Sequence, residues 1–254
     1  MRTADWTATV SVLDRVTAVF DAFGDDDEGL GVSELARRAN LPKSTVSRLT
    51  ADLVAQRFLE RDGDRLFLGL RLFELAQTVE RPRALRRLAL PVMTELRDAT
   101  GHSVSLGVLD GAHVVGIAML RGASAGPPLV RIGGRLPAHA TATGKVLLAF
   151  SSEIDVDRVI EAGLPARTSR TIGDPAELRR RLGEIRRVGV AVENGECADD
   201  RACVASPILA PGGMPVAAIA VAGPAVLLVP DRVSSAVRSA AAALSRRLAA
   251  SPPG

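Results

Sequence analysis

Hydrophobic residues at helical spacing alternate with short polar breaks in the first 70 residues. This pattern predicts three helices, over 10–23, 34–39 and 43–57. Ser33 is the predicted N-cap of the second helix, and a turn before Pro42 separates it from the third. Two short alternating segments then flank the turn Asp62-Gly63-Asp64, which is typical of a β-hairpin. Three helices followed by a hairpin predict a winged helix-turn-helix.

The pattern changes after residue 70, where helices become mixed with alternating segments typical of strands. A connecting helix is expected over 70–80, ended by Pro82, and another over 83–99. Further strands are expected over 103–109, 113–120, 129–132, 190–193, 202–209 and 216–222, and further helices over 140–150, 177–187 and 232–249. Turn residues between successive strands favour antiparallel pairing. The fold class predicted for the second part is therefore α+β.

Composition is typical of a soluble globular protein. The chain has 254 residues, of which 47% are hydrophobic and 24% are charged. This length suits one large or two ordinary domains. No apolar run reaches the roughly 18 residues of a membrane span, and the N-terminal residues lack a signal-peptide pattern. We therefore expect a cytoplasmic protein with no membrane partner.

Residues that bind metals are few and widely spaced. The two cysteines, Cys197 and Cys203, match neither a disulfide framework nor a zinc spacing, and the three histidines are scattered. The sequence predicts no metal site and no cofactor.

Charge is distributed unevenly along the chain, whose net charge is +3. Residues 1–80 hold 10 Lys and Arg against 14 Asp and Glu, whereas residues 81–254 hold 22 against 15. Within residues 37–71, however, 8 basic residues face only 4 acidic ones. This local excess, rather than the total charge, bears on nucleic-acid binding.

The third helix and the hairpin carry short hydroxyl and long cationic side chains that suit DNA. The candidate DNA-binding residues are Lys43, Ser44, Thr45, Ser47, Arg48, Arg61 and Arg65. Hydroxyl groups and free amides at the start of a helix suit phosphate, and Arg48 is long enough to reach a guanine edge. Lys43 is expected at a phosphate, and Arg61 and Arg65 at the flanking backbone or minor groove. The alternative is a solvated helix face in a unit that mediates protein contacts.

Five blocks of the sequence resemble, in order and spacing, the IclR family of bacterial transcriptional regulators. They are SVLDRVTAVFDAF, SELARRANLPKSTVSRLTADLVAQRFLERDGDRLFLGLRLFELA, LPAHATATGKVLLA, RACVASPI and AAIAVAGP. The resemblance implies a winged helix-turn-helix domain over 1–69, a linker helix over 70–82, and a GAF-like domain over 83–254 that binds an effector and oligomerises. It implies a repressor of a metabolic or catabolic operon that binds double-stranded operator DNA as a homodimer or tetramer.

The resemblance also implies an effector pocket in the C-terminal domain. The positions that match are Thr143, Gly144, Glu193, Cys203, Ala220 and Ala222. Family members often carry serines where this chain has Ala220 and Ala222. With these two hydroxyl donors missing, we expect a smooth apolar floor, polar recognition at one end only, and an aromatic acid or acyl derivative as the effector.

Three other patterns were weighed. Gly144-Lys145 lacks the first glycine and the Ser or Thr of a phosphate-binding loop, so that motif is rejected. Cys203 with His139 could form a nucleophile and base, which leaves a GAF-domain enzyme or a redox or small-molecule sensor as the alternative function. The carboxylates between residues 193 and 200 are expected to form a solvated acidic loop rather than a metal or acid-base site.

Overall fold

The computed structural model describes residues 11–24, 27–123, 129 and 131–250, except for the side chain of Arg81. Two predicted elements extend beyond these residues: the first helix at Val10 and the strand over 129–132 at Val130. The chain divides into two compact units between residues 80 and 81. No helix in the described ranges is long and apolar enough to cross a membrane.

The first unit is a winged helix-turn-helix, as predicted. Its elements are α1 (Val12–Asp21), β1 (Leu30–Gly31), α2 (Val32–Ala39), α3 (Lys43–Ala55), β2 (Leu59–Asp62), β3 (Arg65–Leu68) and α4 (Leu70–Gln77). The predicted hairpin, β2–β3, is extended by β1 into a three-stranded antiparallel sheet in the order β1-β3-β2. Strand β1 has only two residues, too few to show a periodic pattern in the sequence.

The first unit buries the apolar stripe of α3, and the local backbone geometry marks the two ends of α2. Val46 and Leu53 of α3 are buried in it, as the apolar pattern predicted. Helix α2 begins one residue before Ser33, so Gly31 rather than Ser33 is its N-cap, and no side chain caps it. Asn40 ends α2 in the left-handed conformation, with φ at 52°, which asparagine tolerates better than most residues.

Helix α4 is shorter than predicted, and it packs against the wing of the first unit. It ends at Gln77. Pro82, the predicted end of this helix, lies instead in the first turn of the next one. A first turn tolerates proline because the amides there have no intrahelical partner. The Leu70 amide donates to the Glu60 carboxylate at 3.0 Å, which ties the start of α4 to the wing.

The second unit has an antiparallel sheet with helices on both faces. Its elements are α5 (Glu80–Thr100), β4 (Ser103–Asp110), β5 (His113–Leu120), β6 (Arg135–Pro137), a 3₁₀ turn (Ala138–Ala140), α6 (Ala142–Phe150), α7 (Glu153–Glu161), α8 (Pro175–Val188), β7 (Ala191–Asn194), β8 (Arg201–Leu209), β9 (Pro215–Pro224) and α9 (Pro230–Ala250). The strand order is β6-β5-β4-β9-β8-β7. The α+β prediction is therefore confirmed. The prediction of a strand over 129–132 is wrong for the described residues of that range, because β6 is the strand that pairs with β5. Helix α7 was not predicted.

Alternation along the strands separates two cores. On β9, Ile219 and Val221 face a core that includes residues of α5 and α9, whereas Ala218 and Ala220 face a core that includes residues of α6 and α8. The small alanines on the second face allow α6 to lie close to the sheet. The candidate effector residues lie on this α6 face.

Candidate functional site

The exposed face of α3 carries the residues that the sequence singled out for DNA. Lys43, Ser44, Ser47 and Arg48 are exposed, and Thr45 is half-buried. Pro42 is the N-cap of α3 and forms no side-chain hydrogen bond with the first turn. The amides at the start of α3 therefore have no side-chain cap, and they favour an anion such as a DNA phosphate.

Several arginines that contribute to the local positive excess are already engaged within the first unit. Arg37 and Arg38 both bind Glu34, at 2.6 and 2.8 Å, and Arg57 lies 3.4 Å from Glu74. These arginines are thus neutralised by acidic neighbours.

The two candidate arginines of the wing differ in their surroundings. Arg65 Nη1 donates to the carbonyl oxygens of Glu28 and Gly29, at 3.3 and 2.9 Å, so Arg65 braces the wing against the segment before β1. Arg61 is exposed and, within the described ranges, its side chain forms no hydrogen bond or ion pair; the same holds for the side chains of Lys43 and Arg48. The cations left available for DNA in this region are thus concentrated on α3 and the wing.

A largely apolar cavity of about 110 Å³ lies on the α6 face of the sheet in the second unit. Its apolar walls include Leu106, Val114, Met119, Ile132 and Leu136. Its polar lining residues are Ser103, Ser105, Thr141, Thr143, Glu193, Arg121, Arg131 and Arg201. Three arginines and one carboxylate contribute to this lining, and Arg201 lies 3.8 Å from Asp200. The cavity can therefore hold an anionic group beside an apolar body.

Four of the six predicted effector residues line this cavity, namely Thr143, Glu193, Cys203 and Ala222. Gly144 and Ala220 do not. The Gly144 amide, expected to bind the effector, instead donates to Thr141 Oγ1 at 3.0 Å as part of the N-cap of α6. A Cβ at Gly144 would lie 2.1 Å from the Ala138 carbonyl oxygen, so glycine here permits close packing against the 3₁₀ turn.

Ala220 lies deeper than the sequence suggested. It faces the same side of β9 as Ala222, as expected, but it is fully buried in the core that contains Ala142 and Val146 of α6. A serine at this position would meet α6 rather than open cavity.

The register of the sheet places two serines beside these alanines. Ser103 on β4 lies opposite Ala222, and Ser105 lies opposite Ala220. Both serines line the cavity. The expectation of a floor without hydroxyl groups is therefore wrong, because a neighbouring strand supplies them, and the lining no longer requires polar recognition at one end only. The alternation in HSVSLG indicates that both serines share a face, but strand order is not legible in the sequence.

Glu193 is buried at the cavity wall. Its Oε1 accepts the amides of Glu196 and Cys197, at 2.6 and 3.0 Å. Burial raises the pKa of the Glu193 carboxyl above its ordinary range, and the two amide hydrogen bonds oppose this shift only in part.

Glu196 forms a buried ion pair with a lysine of α6. Lys145 Nζ lies 2.5 Å from Glu196 Oε1, and the lysine side chain is fully buried. The prediction of a solvated acidic loop is therefore wrong for Glu193 and Glu196, whereas Asp199 and Asp200 are exposed. The sequence offered no sign that Lys145 lies within reach of Glu196.

Within the described part of the chain, the cysteines and histidines are not grouped around one another. Burial raises the pKa of the Cys203 thiol, and it raises the pKa of Cys197 to about 11. His139 Nε2 lies 3.2 Å from the Pro165 carbonyl oxygen, and no contact with Cys203 is found among the described residues. Within the same ranges, no group of three or more His, Cys, Asp or Glu side chains is arranged to hold a metal ion.

Comparisons with known proteins match both units. Residues 12–63 match the family described as "IclR helix-turn-helix domain", and residues 77–246 match "Bacterial transcriptional regulator IclR C-terminal". The "HTH-type transcriptional regulator BhcR" of Paracoccus denitrificans is 31% identical over 89% of this chain and 82% of that protein. The "Transcriptional repressor IclR" of Escherichia coli is 29% identical over 91% of this chain and 86% of that protein.

Solved structures of IclR proteins also resemble this chain. An IclR homologue from Microbacterium hydrocarbonoxydans, complexed with 4-hydroxybenzoate, has a TM-score of 0.85 and 32% identity, and the match covers 95% of this chain and all of that one. The IclR of Thermotoga maritima has a TM-score of 0.74 and 28% identity, over 93% of this chain and 98% of that one.

Proposed function

Because this chain belongs to the IclR family of bacterial transcriptional regulators, we propose that it is an effector-responsive repressor of a metabolic or catabolic operon. The observation that carries the proposal is the outward face of α3, where Lys43 and Arg48 have no partner within the described part of the chain while neighbouring arginines are paired. A helix presenting such side chains near its N-terminus suits the major groove.

The roles within this face differ by chemistry. Arg48 reads a base edge through a bidentate contact, with Ser47 beside it, whereas Lys43, Ser44 and Thr45 bind phosphates at the helix start. Arg61 extends the contact from the wing to the flanking backbone. Arg65 contributes indirectly, since it holds the wing against the carbonyl groups before β1.

The repressor acts as a homodimer or tetramer on a pseudo-palindromic operator. A single winged helix buries too little surface for tight specific binding, so two copies must act together. Self-association is supported by α4, where Leu70 and Phe73 are 58% and 60% exposed and, being three residues apart, share one helix face. Operator binding implies a cytoplasmic location.

The effector is an aromatic carboxylic acid. Arg121, Arg131 and Arg201 contribute to the cavity lining beside the hydroxyl groups of Ser103 and Thr143, and the apolar walls suit a flat ring. The similar Microbacterium protein was crystallised with 4-hydroxybenzoate, a molecule of this class. Glu193 and Thr143 provide further polar contacts at the wall.

A catalytic or redox function is the alternative, and it is less well supported. Such a function would require a reactive thiolate at Cys203, whereas burial raises the pKa of this thiol and keeps it protonated near neutral pH. We therefore propose that Cys203 contributes to the shape of the cavity rather than to chemistry.

The test is a footprint of the full-length protein on the promoter upstream of its own gene. We expect protection of a pseudo-palindromic segment that weakens steeply as salt is raised, because phosphate contacts release counterions. Uniform, sequence-independent protection along the promoter contradicts the proposal.

A further inference from the structure

Two hydroxyl groups of β4 face the cavity beside the strand that carries Ala220 and Ala222. Antiparallel pairing aligns Ser103 with Ala222, and it continues this row across β8 and β7 through Cys203 and Glu193. Because residues directly opposite each other share a face, Ser103 and Glu193 lie on one line across the floor of the cavity. Ser105 lies in the next row.

The two serines differ in what they already bind. Ser103 Oγ accepts the Gly122 amide at 3.1 Å, which orients the oxygen and leaves its hydrogen free to donate. Ser105 is half-buried at the cavity wall and, among the described residues, forms no side-chain hydrogen bond. A hydroxyl in a largely apolar wall gains most from a ligand that supplies a partner.

The register also orients a ligand along β4. Leu120 lies opposite Val104, so Arg121, the next residue of the chain, comes beside Ser103. A carboxylate at this end can accept a hydrogen bond from the Ser103 hydroxyl, on the side of the cavity that Arg121 also lines. Ser105 follows two residues along the strand, which is about 6.6–6.8 Å away. That spacing is comparable with a benzene ring and its two para substituents.

We propose that Ser103 binds the carboxylate of the aromatic effector and that Ser105 selects a second oxygen on the opposite side of the ring. This inference rests on the proposed aromatic-acid site. It assigns the hydroxyl donors of the pocket to β4, whereas family members often carry them as serines on the strand that corresponds to β9. In this arrangement Ser103 is an affinity residue and Ser105 is the specificity-determining residue.

The inference is tested by calorimetric titration of the full-length protein with benzoate and with 4-hydroxybenzoate. Wild type should bind 4-hydroxybenzoate more tightly, and Ser105→Ala should reduce this preference by about threefold to tenfold, chiefly by weakening the binding of 4-hydroxybenzoate. Ser105→Ala removes no hydrogen bond within the described residues, so the fold should persist. The matched control is Ser234→Ala on α9, outside the cavity, which should keep the wild-type preference.

Two different results would overturn different claims. If Ser105→Ala keeps the full preference for 4-hydroxybenzoate, the inference about β4 is wrong and the aromatic-acid site stands. If neither acid binds wild type, the proposed effector class is wrong, and the inference fails with it.

Discussion

Lys145 Nζ lies 2.5 Å from Glu196 Oε1, and this buried ion pair joins α6 to the segment after β7. The same segment donates its Glu196 and Cys197 amides to Glu193, at the cavity wall. Because the lysine side chain is fully buried, water cannot take the place of Glu196 as the partner of its ammonium group. The ion pair therefore fixes the position of the wall that Glu193 and Cys197 form.

Breaking this ion pair should destabilise the protein strongly. Lys145→Met leaves the Glu196 charge buried without a partner, which costs about 3–5 kcal/mol of the free energy of unfolding. The double variant Lys145→Met/Glu196→Gln removes both charges and should recover much of this loss. Chemical unfolding of the two variants and wild type measures both effects. A double variant no more stable than Lys145→Met would show that the lysine stabilises the fold in another way.

The buried carboxyl of Glu193 should make stability depend on pH. Its pKa is raised in the folded state above the ordinary value of 4.5, so the native protein retains a proton that the unfolded chain has released. Stability should therefore fall as pH rises from about 4.5 through the folded pKa. Glu193→Gln keeps an oxygen that accepts the two amide hydrogen bonds, and it should remove the contribution of Glu193 to this loss of stability. Denaturant midpoints at several pH values, compared with wild type, check the slope; an unchanged slope contradicts the assignment.

The DNA contacts of α3 should separate into specific and nonspecific ones. Arg48→Ala should weaken binding to the operator by about 1–3 kcal/mol and relax preference at one base position. Lys43→Ala should weaken binding to all sequences alike and flatten the salt dependence. Fluorescence anisotropy with operator and random duplexes at several salt concentrations distinguishes them. Equal losses on both duplexes for Arg48→Ala would place the base-reading residue elsewhere.

The exposed apolar face of α4 should mediate self-association. Phe73→Glu places a charge on this face and should shift the protein toward the monomer, with weaker operator binding, because each half-site then binds alone. Met214→Glu, at another exposed apolar position in the turn before β9, is the control and should keep the wild-type assembly. Sedimentation velocity measures both; an unchanged assembly in Phe73→Glu contradicts this role for α4.

Much of the fold was predictable because periodic hydrophobicity reports which face of an element is buried. Helix α3 and hairpin β4–β5 follow directly from that pattern. Strand β1 was missed because two residues show no period. Pro82 does not mark the end of α4, because the first turn of the next helix accepts proline.

The site was less predictable because it depends on which strands become neighbours. Sequence alternation shows that Ser103 and Ser105 share a face, but only the order β4-β9-β8 brings them beside Ala222 and Cys203. The pairing of Lys145 with Glu196 likewise joins residues 51 positions apart. Such pairs leave no periodic pattern in a single sequence.

This protein should bind one operator through α3, and filling the cavity should change this binding. The most direct measurement is the anisotropy of a labelled promoter fragment titrated with full-length protein, with and without 4-hydroxybenzoate, beside a scrambled duplex. We expect tighter binding to the promoter than to the scrambled duplex, and an affinity for the promoter that changes when the acid is present. Equal affinity for both duplexes, unchanged by the acid, would contradict the claim.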